Sequence, residues 1–356
     1  MYTVGSMHRI LHHHHPFRIF GFSAVASLGV LLFILLRSGW DAAFVTLVLI
    51  AVEIAFSFDN AIINAKILGK LSRFWQDVFL TVGIVIAVLG MRVVFPIVLV
   101  AVGAHLSWGQ VWDLALRHPH QYAHELAKTH LTISAFGGAF LLLLALHFFL
   151  DDSREVLWIE RIERRLQKIA TVWLPTLLTL LVVAIAALLP FNHHPRQTLV
   201  AGALGVATYL VTHSITVLLG KTQKEQSKGG LKTGWAAFWT FVYLEVLDAS
   251  FSFDGVVGAF AVTDKVLLIG AGLGVGALWV RSLTIFMVRR GTLANYIYLE
   301  HGAHYTVAVL AGLMFLSMFL HVPDAVAGLA GIGLISASLF ASRKELSARP
   351  VLKNKT

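Results

Sequence analysis

A polytopic bundle of transmembrane helices is the fold class that the sequence predicts, all-α and with about ten spans. Three observations predict it. The 356 residues are 57% hydrophobic and only 13% charged, with a mean hydropathy of +0.77, against roughly a quarter charged in soluble proteins. Apolar windows of bilayer-crossing length recur along the chain. The 28 lysines and arginines are divided very unevenly among the loops between those windows.

The windows cover residues 19–36, 42–65, 78–102, 131–150, 169–190, 199–220, 235–262, 266–288, 305–320 and 325–341. The first is followed by no convincing cleavage site and is read as a retained helix. Ten crossings put both termini on one side. That side carries 21 lysines and arginines, the other side 5, and the remaining two, Arg92 and Arg281, lie inside spans. Basic residues concentrate on the cytoplasmic side of membrane proteins, so both termini are expected in the cytoplasm and the protein in a bacterial inner membrane. The net charge of +9 is then mainly a topology marker, with some contact to anionic lipid, and nucleic acid is not an expected partner. With no cysteine, disulfides, thiolate nucleophiles and cysteine-based metal sites are excluded. Residues 152–168 alternate Val156, Leu157, Ile159, Ile162 and Leu166 with arginine and glutamate; this amphipathic stretch is expected either along the cytoplasmic interface or as a plain solvated linker helix.

The chain repeats itself. Glu53-Ile-Ala-Phe-Ser-Phe-Asp59 returns as Asp248-Ala-Ser-Phe-Ser-Phe-Asp254, and at the same offset Trp40 pairs with Trp235 and Ala42 with Ala237. In each half the next span holds one arginine nine residues after a glycine: Gly83 and Arg92, Gly272 and Arg281. The span after that opens with His130 or His304. An odd number of crossings separates the two motifs, so the motif helices run in opposite directions. The expected organisation is a five-plus-five inverted repeat, residues 19–190 and 191–341, between cytoplasmic tails 1–18 and 342–356. Secondary transporters use this plan and bind substrate near the midplane. The His12–His15 run is assigned no role.

Charges inside spans are costly and usually functional. Glu53, Asp59, Glu245, Asp248 and Asp254 sit well inside windows, as do both arginines. On a regular helix Glu53, Ser57 and Asn60 share one face, and Glu245, Asp248 and Ser252 share another. Asp59 joins the Glu53 face only if the helix unwinds near Ser57–Asn60; otherwise Asp59 and Asp254 are expected to meet the arginines. Gly255 and Gly258 favour local unwinding in the seventh span. All these ligands are hard oxygens, suited to Mg²⁺, Ca²⁺ or Mn²⁺. His130, His301 and His304, at span edges, are possible auxiliary ligands, or simply hydrogen-bonded interfacial histidines.

The pattern Glu53-x-x-Phe-Ser-Phe-Asp59-Asn60-Ala61 with Asp248-x-x-Phe-Ser-Phe-Asp254 resembles the TerC family of bacterial membrane proteins. Phe79 through Arg92, the Tyr243–Asp248 lead-in and Tyr298-Leu-Glu-His-Gly-Ala-His304-Tyr305 are similar to a branch of that family known mainly as a domain of unknown function. The resemblance covers about residues 40–340. It implies the superfamily of LysE-type exporters, a role in exporting Mn²⁺ or a related metal, a link to tellurite resistance, and a metal site at Glu53, Asp59, Asn60, Asp248 and Asp254.

The expected function is export of a divalent cation by proton antiport, with the metal as substrate and no cofactor. The alternatives are a membrane scaffold that aids metalation or assembly of other proteins, and an oxyanion transporter, whose site ought to be net positive. An intramembrane metalloprotease is not expected, because Glu300-His301-Gly-Ala-His304 lacks the His-Glu-x-x-His spacing. Oligomeric state is not legible in the sequence.

Overall fold

The computed structural model describes residues 16–103, 106–226, 231–263, 265–291, 296–320 and 322–348. They are almost entirely helical. Among them the only β feature is an isolated parallel bridge between Leu71 and Lys232. The chain runs through α1 (Pro16–Ser38), α2 (Trp40–Phe56), α3 (Phe58–Leu68) and α4 (Arg73–Val85), then a π-helical segment (Ile86–Val94) and α5 (Phe95–Gly103). It continues through α6 (Trp108–Arg117), α7 (Pro119–Phe149), α8 (Glu160–Lys168), α9 (Leu174–Leu188) and α10 (Pro195–Gln226). The last helices are α11 (Gly234–Val262), α12 (Val266–Arg290), α13 (Leu299–Ser317) and α14 (Asp324–Ala348).

Each of the ten apolar windows is helix over most of its length. Six helices are long and apolar enough to cross a membrane, or seven if the bent pair α2–α3 is one span. The other windows fall short for physical reasons. α9 has 15 residues, where a hydrocarbon core of about 30 Å asks for about 20. The acids of α11 lower its hydropathy, and α13 opens on Glu300, His301 and His304. On α1, Phe22, Val25, Leu28, Phe33 and Leu36 are exposed, as a lipid-facing helix requires. The protein is a multi-pass membrane protein.

Two compact units partition the chain, and they do not follow the two halves of the sequence repeat. The first comprises residues 1–57, 64–127 and 231–292; the second comprises 58–63, 128–230 and 293–356. In the first unit α12 is the central helix. It packs against α1, α2, α4, α11 and the π segment. Alternate glycines on α12 serve different neighbours. Gly272 and Gly276 lie against Leu49 and Glu53 of α2, while Gly270 and Gly274 lie against Val93 and Val88 of the π segment. Small residues four apart let helix backbones approach closely, the usual device of membrane helix packing. Polar contacts zip α1 to α12: Ser23 Oγ donates to Leu278 O at 3.1 Å and meets Ser282 Oγ at 2.8 Å, and Trp279 Nε1 donates to Ser27 Oγ at 2.8 Å.

In the second unit α9 packs on α10, and α13 on α14. Gly205 of α10 abuts the Phe136 carbonyl of α7, and Gly138 of α7 abuts Phe315 of α13. Prolines stand at the first positions of α7 and α10, where the missing N–H costs nothing. The short helix α6 has a capping box, with Ser107 and Gln110 bonding reciprocally, and exposes Trp108, Trp112 and Leu116. It has the character of an interfacial helix, and it falls in a stretch read from the sequence as loop.

A Cβ at Gly276 would lie 2.5 Å from Glu53 Cβ and 2.6 Å from its Cγ. Gly276→Val is therefore expected to lower stability by about 1–3 kcal/mol, read as earlier thermal unfolding in detergent. At Gly312, where a Cβ meets nothing within 4 Å, Gly312→Ala is expected to leave stability unchanged or raised.

Candidate functional site

Among the described residues of the first unit, the buried charges form two ion-pair clusters, one from each half of the repeat. In the first, Glu53 on α2 pairs with Arg92 Nη2 in the π segment. Arg92 Nη1 also donates to the Ala87 carbonyl at 2.7 Å, and Ser57 Oγ donates to Glu53 Oε1 at 3.1 Å. Ser57 is the break between α2 and α3, with φ −97° and ψ 14°, and the two helices bend there by 51°. Glu53 is 4% exposed and Arg92 6%.

In the second cluster Arg281 grips Glu245 with two parallel bonds, Nη1 to Oε1 at 3.1 Å and Nη2 to Oε2 at 2.9 Å. Its Nη2 also reaches Asp248 Oδ2 at 3.2 Å, and Nη1 donates to the Phe79 carbonyl at 3.0 Å. The guanidinium lies over the Phe79 ring, 4.1 Å from its centroid. Bidentate geometry is the strong form of an arginine–carboxylate bond. Gly83 makes room for it: a Cβ there would strike Arg281 Nη1 and lie 2.8 Å from Glu245 Oε1. Each cluster thus rests on a glycine of the other repeat, Gly83 under the second and Gly276 under the first.

Each arginine pairs with an acid of its own repeat. The pairing of arginine with Asp59 is corrected: Arg92 takes Glu53, because the break at Ser57 ends α2 one turn past Glu53 and leaves that carboxylate on the face toward the π segment. Asp59 and Asn60 belong to the second unit and are buried, each 3% exposed. The side chains of Ser252 and Asp254 lie outside the described residues, as does His12–His15. The backbone of α11 is continuous helix through Gly255 and Gly258, so the unwinding expected in the seventh span is not found there. Among the described residues no three histidine, aspartate or glutamate side chains stand together as a metal-binding group. One polar residue passed over in the sequence is Asn64. It is 1% exposed, its Oδ1 has no partner among the described residues, and it stands one turn after Asn60 on α3; the i+4 spacing is the clue in the sequence.

The histidines make local contacts in the second unit. His130 Nε2 meets Ser134 Oγ at 3.4 Å. His304 Nδ1 meets the Glu300 carbonyl at 2.9 Å, and its ring stacks on Phe148. His301 belongs to a different cluster, built around Glu163 of α8. Glu163 has no exposed surface. Its Oε1 accepts from the Ile159 N–H at 3.1 Å and from the Tyr305 hydroxyl at 3.2 Å. Its Oε2 faces His301 Nε2 at 3.3 Å and Arg154 Nη1 at 3.7 Å. The amphipathic segment is therefore pinned to α13 by a buried carboxylate. Burial pushes the Glu163 pKa up, but bonds from His301 and Ile159 and the charges of His301 and Arg154 outweigh it, leaving the carboxyl below its ordinary 4.5.

Both kinds of cluster can be tested by substitution. Removing one partner of a buried pair costs about 3–5 kcal/mol; Arg92→Ala and Glu53→Ala should each destabilise, and the double variant should lose clearly less than their sum. A cycle without coupling contradicts the pair. For Glu163, a depressed folded pKa means stabilisation that is complete above about pH 4.5 and lost as pH falls through the lower folded value. Glu163→Gln should therefore be less stable than the parent at pH 7, with the gap closing in acid, as read by proteolysis of the 152–168 segment.

Comparison with known proteins places the chain among proteins of unassigned function. YceF of Bacillus subtilis (strain 168), described as an uncharacterized membrane protein, is 33% identical over 129 residues, 34% of this chain and 47% of the relative. The chain thus spans about half the length of the curated relative it matches. No solved structure matches. Residues 58–348 match a family model described as a protein of unknown function, DUF475. That region takes in Asp59, Arg92, Arg281 and the whole second repeat, so the chain belongs to the DUF475 family.

Proposed function

We propose that this protein is a secondary transporter that exports a divalent metal cation, Mn²⁺ before Ca²⁺ or Mg²⁺, from the cytoplasm across the inner membrane in exchange for protons. The observation that carries the reading is the pair of buried arginine–carboxylate clusters in one unit, one from each repeat. Charges in a bilayer are retained chiefly where ions or protons pass, and oxygen-only ligands fit a hard cation. The resemblance to TerC proteins, with Glu53, Asp59, Asn60, Asp248 and Asp254 as the metal set, points the same way. Glu245, Ser57 and Ser252 add oxygens on the same helix faces. The uneven division of lysine and arginine supports cytoplasmic termini.

One observation favours the second reading, a membrane scaffold aiding metalation or assembly of other proteins. The described carboxylates of the first unit's clusters are already paired with arginine, and closed pairs suffice for a structural role. The oxyanion reading is weaker, because the groups of the two clusters, Glu53, Glu245 and Asp248 against Arg92 and Arg281, sum to one negative charge.

Flux in sealed proteoliposomes separates these readings. The parent should move Mn²⁺ toward the acidic side of an imposed pH gradient, and Mn²⁺ affinity should fall as pH drops from about 8 to 6, because protons and metal compete for the same oxygens. Glu53→Gln and Asp248→Asn should insert normally yet lose Mn²⁺ binding and flux. Parental flux in both variants places the site elsewhere, and a parent that carries no Mn²⁺ leaves the scaffold.

A further inference from the structure

The two arginines are held very differently. Arg281 sits on the regular helix α12 and makes four polar bonds, two to Glu245, one to Asp248 and one to the Phe79 carbonyl, besides lying over the Phe79 ring. Arg92 makes two among the described residues, to Glu53 and to the Ala87 carbonyl of its own segment. That segment, Ile86–Val94, is π-helical between two stretches of α-helix. Its i→i+5 bonding is uncommon and recurs at functional sites. Its pairing can shift by one residue to the i→i+4 pattern of its flanks. Such a shift turns a side chain about 100° around the helix axis, enough to take Arg92 off Glu53. The neighbour across which it would turn is smooth: Gly270 and Gly274 of α12 face Val93 and Val88.

Withdrawing Arg92 changes the charge balance of the two clusters. Glu53, Glu245, Asp248 and Arg281 without Arg92 sum to two negative charges. One divalent cation cancels that sum, and a monovalent ion leaves half of it.

We propose that Arg92 is a tethered counter-ion that occupies the place of the substrate cation at Glu53. A π-to-α shift of Ile86–Val94 along the glycine face of α12 exchanges the guanidinium for a divalent ion, while Arg281 stays as the fixed anchor of the second cluster. This rests on the transporter reading and specifies the moving part of its site.

A crosslink tests it, in a chain with no cysteine of its own. A Cβ at Gly274 would lie 4.0 Å from Val88 Cβ, within the usual disulfide range of about 3.5–4.5 Å. The Val88→Cys/Gly274→Cys pair should crosslink on oxidation, stop Mn²⁺ flux in proteoliposomes, and regain flux on reduction, while the parent ignores both treatments. Crosslinked protein that carries Mn²⁺ at the parental rate overturns the shift, as does a folded pair that does not crosslink. Equilibrium Mn²⁺ binding gives a second readout. Arg92→Gln should bind at least tenfold more tightly than the parent, because its internal competitor is gone; Arg92→Lys should stay within a few-fold of the parent; Arg281→Gln should bind more weakly. Equal weakening in Arg92→Gln and Arg281→Gln overturns the exchange. A parent with neither flux nor binding overturns the transporter reading and this inference with it.

Discussion

Neutralisation of buried charge is the constraint around which the first unit is built. A lone carboxylate or guanidinium in a bilayer costs at least about 2.5 kcal/mol on insertion scales, and more if it is dry and unpaired. Glu53 with Arg92, and Glu245 and Asp248 with Arg281, answer that cost by pairing. Pairing in turn dictates the packing. Large charged groups fit between close helices only where a neighbour gives up its side chain, and Gly83 and Gly276 do so. The glycine-rich face of α12, the break at Ser57 and the π segment all serve to bring carboxylate and guanidinium together in a buried place.

The second unit shows the same rule around Glu163. Glu163 gives up hydration completely, and Ile159, Tyr305, His301 and Arg154 replace it. The Arg154 guanidinium also lies over the Phe148 ring at 3.9 Å. On the same short helix Arg161, Arg164, Arg165 and Lys168 remain exposed, Arg164 in an ion pair with Glu160. One helix thus divides its charges between an internal anchor and an exposed surface. His301, a candidate ligand from its position in sequence, serves that anchor.

The fold class was legible because a bilayer imposes one-dimensional rules. Span length, hydropathy and the distribution of lysine and arginine can be counted along a chain without knowing which helix touches which. The repeat was legible for a similar reason: Phe-Ser-Phe-Asp and the glycine-to-arginine spacing survive as strings. The capped helix α6 was missed because ten residues with mixed polarity lack a span's hydropathy. The helices α9, α11 and α13 show where the rules thin out, since a short or acid-bearing helix departs from them.

The sequence alone determined that this is an all-α membrane protein, that short motifs recur in its two halves, and that Glu53, Glu245, Asp248, Arg92 and Arg281 are charges within apolar stretches that need partners. Tertiary structure decided which partners they take. Arg92 chose Glu53 rather than Asp59 because the chain breaks at Ser57 and the π segment turns Arg92 toward α2. Gly83 and Gly276 became seats for the opposite repeat's ion pairs because α4, α2, α11 and α12 cross there. The compact units mix elements of both repeats, so neither half of the sequence encloses its own charges. Such choices rest on contacts between residues as much as two hundred positions apart, as between Phe79 and Arg281, and no local pattern of residues encodes them.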